Sequence, residues 1–284
     1  MASPAHWHTA FSDRFGIAYP IAGFSHSVDV VVEVTRAGGF GVFAATRNTP
    51  DEIESVLHEI RDRVGDRPFG VDLLIPKEMP ARNNREAIEA ELPAEHRAFV
   101  DHLYNKYRVP APIRAGKRTR FVRSEETAAN QVRVVMNSDV NLLALGVGSP
   151  PEVVALAKEC GKTVLALVGQ PKHAHAAIDA GADILVAQGA DAGGHTGSIG
   201  TFSLVPQIVD VAGERPVLAA GGVVTGRHIA AAFALGAAGV WSGTRWLVTR
   251  ENRTDPVILR KLLEAGSDDT IVSRSESGKT FRML

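Results

Sequence analysis

The sequence predicts an α/β protein built as one closed (β/α)8 barrel, and three observations carry that prediction. Eight short runs rich in Val, Ile, Leu and Ala alternate with longer segments of helical period along the 284 residues. The runs are continuously apolar, as strands covered on both faces must be. Regular strand–helix alternation implies a parallel sheet with right-handed crossovers. Eight such units in a chain of this length favour closure over the alternative, an open doubly wound sheet.

The first run covers residues 19–24 and is followed by an amphipathic segment at 27–37 that Gly38 and Gly39 close. Glycine suits a helix end because it takes the left-handed conformation without a Cβ clash. Residues 40–45 form the second strand. Pro50 opens a helix over 51–64, with Ile53, Val56, Leu57 and Ile60 on one face. The third strand, 69–75, precedes a long charged interruption at 76–123, after which a helix at 125–137 resumes the pattern. Further strands follow at 141–146, 163–168, 184–188, 217–220 and 239–242. The helices between them begin near Pro151, Pro171, Leu204 and Gly226, with Gly161, Gly181 and Gly236 near their ends. A short helix is expected over 255–265 with Val257, Ile258 and Leu262 buried. Residues 1–284 read as a single domain.

The interruption at 76–123 contains Glu78, Arg82, Arg85, Glu86, Glu89, Glu91, Glu95 and Arg97, then Tyr104, Tyr107 and the basic stretch "RAGKRTR". It is a charged helical insertion on the face where barrel loops carry function. Charge runs usually mark solvated faces. The sharper reading is a lid whose Arg114, Lys117, Arg118 and Arg120 meet a phosphate-bearing substrate.

Composition excludes several classes. Lys and Arg number 31 against 32 Asp and Glu, a net charge of −1, so no surplus of positive charge favours nucleic acid or an anionic membrane. Cys160 is the only cysteine, which removes intrachain disulfides and Cys-rich metal sites; it reads as a small buried residue at a helix end. His6, His8, Asp13 and Arg14 interrupt the region where an export signal needs apolar residues. No stretch reaches about 18 apolar residues, and the expectation is a cytoplasmic protein without a membrane span. His173 and His175 point in different directions on a helix, and no metal site is expected. Trp241 and Trp246 are read as core aromatics.

Chemistry in such barrels collects on the loops after the strand C-termini. The sixth strand runs into "AQGADAGGHTG", which holds Gln188, Gly189, Gly193, Gly194 and His195. The glycines let the backbone approach a ligand closely, and imidazole near neutral pH is the usual general base. The seventh strand ends in "PVLAAGGVVTG" and the eighth in "GVWSGT". Gly221 and Gly222, with Ser242, Gly243 and Thr244, occupy the two loops that commonly bind phosphate in this fold. Gln188 suits the polar edge of a heterocycle. No "GxGxxG" opens an N-terminal βαβ unit. A nucleotide-like cofactor, with phosphate at the last two strands and its ring over the barrel mouth, matches flavin mononucleotide (FMN).

These segments, together with "AGGFGVFAA", "RPFGVDLLIP" and the continuation "RHIAAAFALGAAGVWSGTRWL", resemble the nitronate monooxygenase family, formerly called 2-nitropropane dioxygenases, from about Gly16 to Glu251. The resemblance implies an FMN-dependent TIM barrel that oxidises alkyl nitronates, and sometimes nitroalkanes, with O2. It makes His195 the catalytic histidine, and makes Gln188, Gly193, Gly222, Trp241, Ser242, Gly243 and Thr244 flavin-binding positions. Asp72 stands where the family usually has an asparagine contacting the flavin. "IAGFSHS" replaces the usual "QAPM", so Ala22, Gly23 and Phe24 are flavin neighbours by position. Members typically continue into a final barrel helix, so "SGKTFRML" reads as a shortened C-terminal end, either a truncation or a subunit completed by a partner. A homo-oligomer is compatible with that reading, and the partners implied are a small-molecule substrate and O2. Two other readings stay open: an FMN-dependent NAD(P)H reductase of a quinone or enoyl thioester, and a catalytically idle barrel serving as a binding subunit.

Overall fold

The computed structural model describes residues 7–76, 79–111, 123–275 and 277–284. His6, Glu78 and the four cations of the lid reading, Arg114, Lys117, Arg118 and Arg120, lie outside the described residues.

Helix α1 (Ala10–Phe15) comes first, then β1 (Ile21–Ser25), α2 (Val28–Arg36), β2 (Phe40–Ala44), α3 (Pro50–Val64) and β3 (Phe69–Leu74). Thr49 caps α3 through a reciprocal pair of bonds: its side chain accepts from Glu52 N at 3.3 Å, and Glu52 Oε2 accepts from Thr49 N at 2.9 Å. Within the insertion, α4 (Arg85–Ala90) and α5 (Ala94–Tyr107) bury no residue. The alternation resumes with α6 (Glu125–Asn137), β4 (Leu142–Gly146), α7 (Pro151–Glu159), β5 (Thr163–Val168), α8 (Pro171–Asp179) and β6 (Ile184–Gln188). A two-residue strand, β7 (Gly194–His195), then precedes α9 (Thr201–Ala212), β8 (Val217–Ala220), α10 (Gly226–Ala234) and β9 (Gly239–Ser242). The chain continues through 3-10 turns at Thr244–Val248 and Arg250–Asn252 to α11 (Pro256–Glu264), β10 (Ile271–Ser273) and β11 (Phe281–Met283).

Eight strands close into a parallel barrel in the order β1-β2-β3-β4-β5-β6-β8-β9, with β9 pairing β1 through Val240, Trp241 and Ser242. The fold class read from the sequence is therefore the one observed. Side chains alternate between two layers, as strand geometry requires. Ala22, Phe40, Val42, Leu142, Ala144, Leu165, Ile184, Val186, Leu218, Ala220 and Trp241 fill the barrel interior, while Phe69, Val71 and Leu73 face the helices. On β3 the alternation leaves Gly70 and Asp72 on the interior side. Phe11 of α1 stacks edgewise on Phe15 and Phe40, closing the N-terminal end of the barrel.

Three expectations need correction. Val257 and Ile258 are 54% and 55% exposed, because the main neighbour of α11 is the 3-10 turn at Thr244–Val248, which offers no deep apolar seat. Cys160 is exposed, as the C-cap residue on the turn between α7 and Gly161. Helix α9 begins at Thr201, before Leu204, with Gly200 as its N-cap. Helix α1 and the small sheet of β10, β11 and β7 had no counterpart in the sequence reading. Among the described residues no helix is long and apolar enough to cross a membrane.

The tightest helix–strand approach is at Gly41, where an added Cβ would lie 2.3 Å from Val31 O and 2.5 Å from Thr35 Oγ1. The first of these atoms is backbone and cannot swing aside. Gly41→Ala is expected to destabilise the protein by roughly 1–3 kcal/mol, the usual size of an overpacking penalty. Urea denaturation checks this; an unchanged midpoint would show that α2 shifts freely on the sheet.

Candidate active site

The loops after β6, β8 and β9 converge on the C-terminal face of the barrel. Gly189 N donates to Ala220 O at 2.9 Å, joining the first two. Gly221 sits at φ 106° with no room for a side chain: a Cβ there would lie 2.6 Å from Thr201 Oγ1 and 3.0 Å from Ala192 N. Gly222 follows at φ 71°, where a Cβ would meet only Asp191 Cβ, at 3.5 Å. At Gly193 a Cβ would lie 2.7 Å from Thr244 Oγ1, which brings the third loop against the first. Gly226, at the start of α10, and Gly194 face open space, with nothing within 4 Å of an added Cβ. The result is a backbone cradle beside a helix N-terminus, the arrangement that suits an anionic phosphate. Part of that terminus is already occupied, since His228 Nδ1 accepts from Val224 N and Thr225 N at 3.2 and 3.1 Å.

The floor of the mouth is aromatic. Phe24 and Trp241 stack with ring centroids 5.4 Å apart and planes at 28°, and a Cβ at Gly243 would touch Phe24 at 3.5 Å. Ser242 is buried and donates to Val223 O at 3.3 Å, tying β9 to the loop after β8. Gln188 ends β6 on the interior side, in line with Ile184 and Val186. Ala22 is fully buried in the interior. Gly23 instead faces α2, where a Cβ would lie 2.8 Å from Val34 Cγ2, so only its backbone is available to the mouth. Gly189 is likewise crowded, by Thr201 at 2.3 Å.

Asp72 enters from the other side of the barrel, on β3, between Ala44 and Ala144. Its side chain is buried in the interior, within 4 Å of the space above Gly146. Burial pushes its carboxyl up to about 7, against the opposing pull of the nearby Arg123 guanidinium. Arg123, half-buried where the insertion rejoins the barrel, donates to Leu74 O. The pair brings the two ends of the insertion to the same edge of the mouth.

His195 lies on β7 opposite Phe281 of β11. The Phe281 ring meets the imidazole edge-on, at 5.0 Å and 84°, and Ser277 Oγ lies 2.7 Å from His195 Nε2. Partial burial, and then the positive charges of Lys279 and Arg47, hold the imidazole below its ordinary pKa. It is therefore neutral at neutral pH, the form a base requires. The loop that carries it is anchored twice. Asp191 Oδ2 accepts from Thr201 N at 2.7 Å, which also keeps Asp191 well ionised. Arg282 Nε donates to Ala190 O at 2.8 Å and its Nη1 to Thr270 Oγ1 at 2.9 Å. Ser277, Lys279, Phe281 and Arg282 were not found from sequence, because nothing local marks a hairpin that docks on a loop so far back in the chain. Arg47 and Arg123 were missed because a lone arginine in a loop, one before α3 and one before α6, carries no motif.

Comparison with known proteins follows the geometry. The nitronate monooxygenase family model matches residues 7–284. A Mycobacterium tuberculosis protein that carries the name of a monooxygenase is 42% identical over 288 residues, covering 97% of this chain and 76% of its own length. An octahydro-indene carboxyl-CoA dehydrogenase of the same organism is 29% identical; this chain spans 66% of its length. Among solved structures, a nitroalkane oxidase from Streptomyces ansochromogenes superimposes with a TM-score of 0.80 at 27% identity, over 97% of this chain and 79% of that one. FabK from Thermotoga maritima gives 0.75 at 28% identity, over 98% and 75%.

The raised pKa of Asp72 has a consequence for stability. Unfolded, the carboxyl ionises near 3.8, whereas folded it ionises near 7. Between those values the native state binds the extra proton, so this group's contribution weakens as pH rises from about 4 to about 7 and then levels off. Asp72→Asn removes the penalty. Its gain in unfolding free energy over the wild type is expected to be larger at pH 8 than at pH 5, with a limit of about 4 kcal/mol, and thermal melts at the two pH values check it. A difference independent of pH would show that Asp72 is ionised without strain.

Proposed function

Because the chain belongs to the nitronate monooxygenase family, a family of flavin-dependent oxidoreductases, we propose that it binds FMN at the barrel mouth and uses O2 to oxidise alkyl nitronates, and nitroalkanes, to carbonyl compounds and nitrite. The observation that carries this reading is the half-buried His195 on the same glycine-rich loop that packs against the loops after β8 and β9 at the barrel mouth.

Gly221, Gly222, Gly243 and Thr244 would hold the phosphate, with the start of α10 behind it. Gln188 and Asp72 would meet the polar edge of the ring from opposite sides of the barrel, and the Phe24–Trp241 stack would support the ring from below. Bound there, FMN supplies an electron acceptor for the substrate and, once reduced, a partner for oxygen. Asp72 in its protonated form donates a hydrogen bond, as the family's asparagine can. Arg47 and Lys279 place positive charge beside His195, which favours an anionic nitronate over its neutral acid. With a neutral nitroalkane, His195 removes the α-proton first; a preformed nitronate needs no base.

The likeness to FabK and to the carboxyl-CoA dehydrogenase supports a second reading, a flavin-dependent reductase or dehydrogenase of a thioester. One experiment separates the readings. The purified protein is expected to show flavin absorbance, to bleach when a nitronate is added without air, and to recover on aeration. Bleaching by NADPH but not by nitronate would replace the first reading with the second. His195→Gln is expected to lower kcat/KM on a nitroalkane by about 10²-fold or more while changing turnover of the nitronate little. Equal loss on both would remove the base role. Protein that takes up no flavin would overturn both enzyme readings.

A further inference from the structure

The hairpin of β10 and β11 is not a stray end. It forms a three-stranded antiparallel sheet with β7, in the order β10-β11-β7, and β7 is the two-residue strand that contains His195. The docking is specific. Phe281 pairs with His195 and Arg282 with Gly194 in register, Thr196 N donates to Thr280 O at 3.3 Å, and Arg282 reaches across to Ala190 O. The turn between the strands delivers Ser277 to within 2.7 Å of His195 Nε2. Among the described residues His195 Nδ1 meets no hydrogen-bond partner.

A neutral imidazole carries one N–H and one lone pair, and the bond made by one nitrogen decides which it holds. A hydroxyl can serve either way, so the choice rests on the other nitrogen. If Ser277 donated to Nε2, the ring proton would sit on Nδ1, where no protein acceptor among the described residues meets it, and the ring would keep no N–H bond within the protein. If Ser277 accepts from Nε2–H, the ring proton is satisfied and the lone pair on Nδ1 is left open. Phe281 packs edge-on against the same ring, at 5.0 Å and 84°.

We infer that Ser277 is a positioning residue: its Oγ accepts the Nε2 proton of His195, holding the ring in the tautomer whose open lone pair, the one that takes a proton from substrate, is on Nδ1. The inference rests on the base role proposed above only for its catalytic consequence. In that step the substrate's α-C–H bond breaks, its electron pair stays on the substrate as the nitronate, and the proton passes to Nδ1. The resulting imidazolium keeps its Nε2–H bond to Ser277.

The test is long-range proton–nitrogen NMR of the full chain, with the His195 ring signals identified by their loss in His195→Gln. The wild type is expected to show the Nε2–H tautomer as the single major form. Ser277→Ala is expected to give a mixture, and Ser277→Thr, which keeps the hydroxyl, to restore the single form. On a neutral nitroalkane Ser277→Ala should lose about tenfold in kcat/KM, with turnover of preformed nitronate within about twofold of wild type. A wild-type ring protonated on Nδ1, or tautomer populations unchanged in Ser277→Ala, would overturn the inference. Should the protein turn over neither compound while the tautomer shifts as described, the positioning role stands and the nitronate reading is what fails.

Discussion

When Ile21, Ala22 and Gly23 take Val240, Trp241 and Ser242 as parallel partners, the sheet loses its last free edge. Closure forces every crossover to the outside and every strand C-terminus to one rim. Gln188, Ala220 and Ser242 therefore end at the same face, and the loops that follow them have to share its limited space. That crowding accounts for the glycines. At Gly193 and Gly221 a single methyl group would collide with a neighbouring loop, and at Gly189 with the first residue of α9. Their value lies as much in packing three loops together as in making room for a ligand.

The strands and most helices were legible because each reflects a local signal: a continuous apolar run, a capping residue or a closing glycine. The place of Asp72 inside the barrel follows from the same alternation that puts Val71 and Leu73 on the helix side. Other parts were not legible because their cause is distant. Gly194 and His195 become a strand only through Phe281 and Arg282, and a two-residue strand has no periodicity to read. Val257 and Ile258 carry a helical stripe, yet what a stripe packs against is decided by tertiary structure. Cys160 was misjudged because its residue type favours burial while its position, one residue before a left-handed glycine, turns it to solvent. Within the candidate site, the loops could be named from sequence, whereas the neighbours that set His195's electrostatics could not.

Those electrostatics have one source acting in two directions. Removal from water disfavours whichever form is charged, so it raises the carboxyl of Asp72 and lowers the imidazole of His195. Arg123 works against burial at Asp72, whereas Lys279 and Arg47 reinforce it at His195. The mouth thus holds two groups close to neutrality among three permanent cations. Against these cations stands one ionised carboxylate, Asp191, tied back by Thr201 N, and the positive balance favours a negative charge that forms on a substrate.

The exposed Cys160 ends α7, immediately before β5 begins. That puts it at the N-terminal rim of the barrel, on the opposite end from His195 and the converging loops. It is also the only thiol in the chain. A dye, a spin label or a surface linker attached through sulfur therefore lands at one defined point and leaves the mouth facing solution. Oxidation between two copies would join them back to back, with both mouths outward.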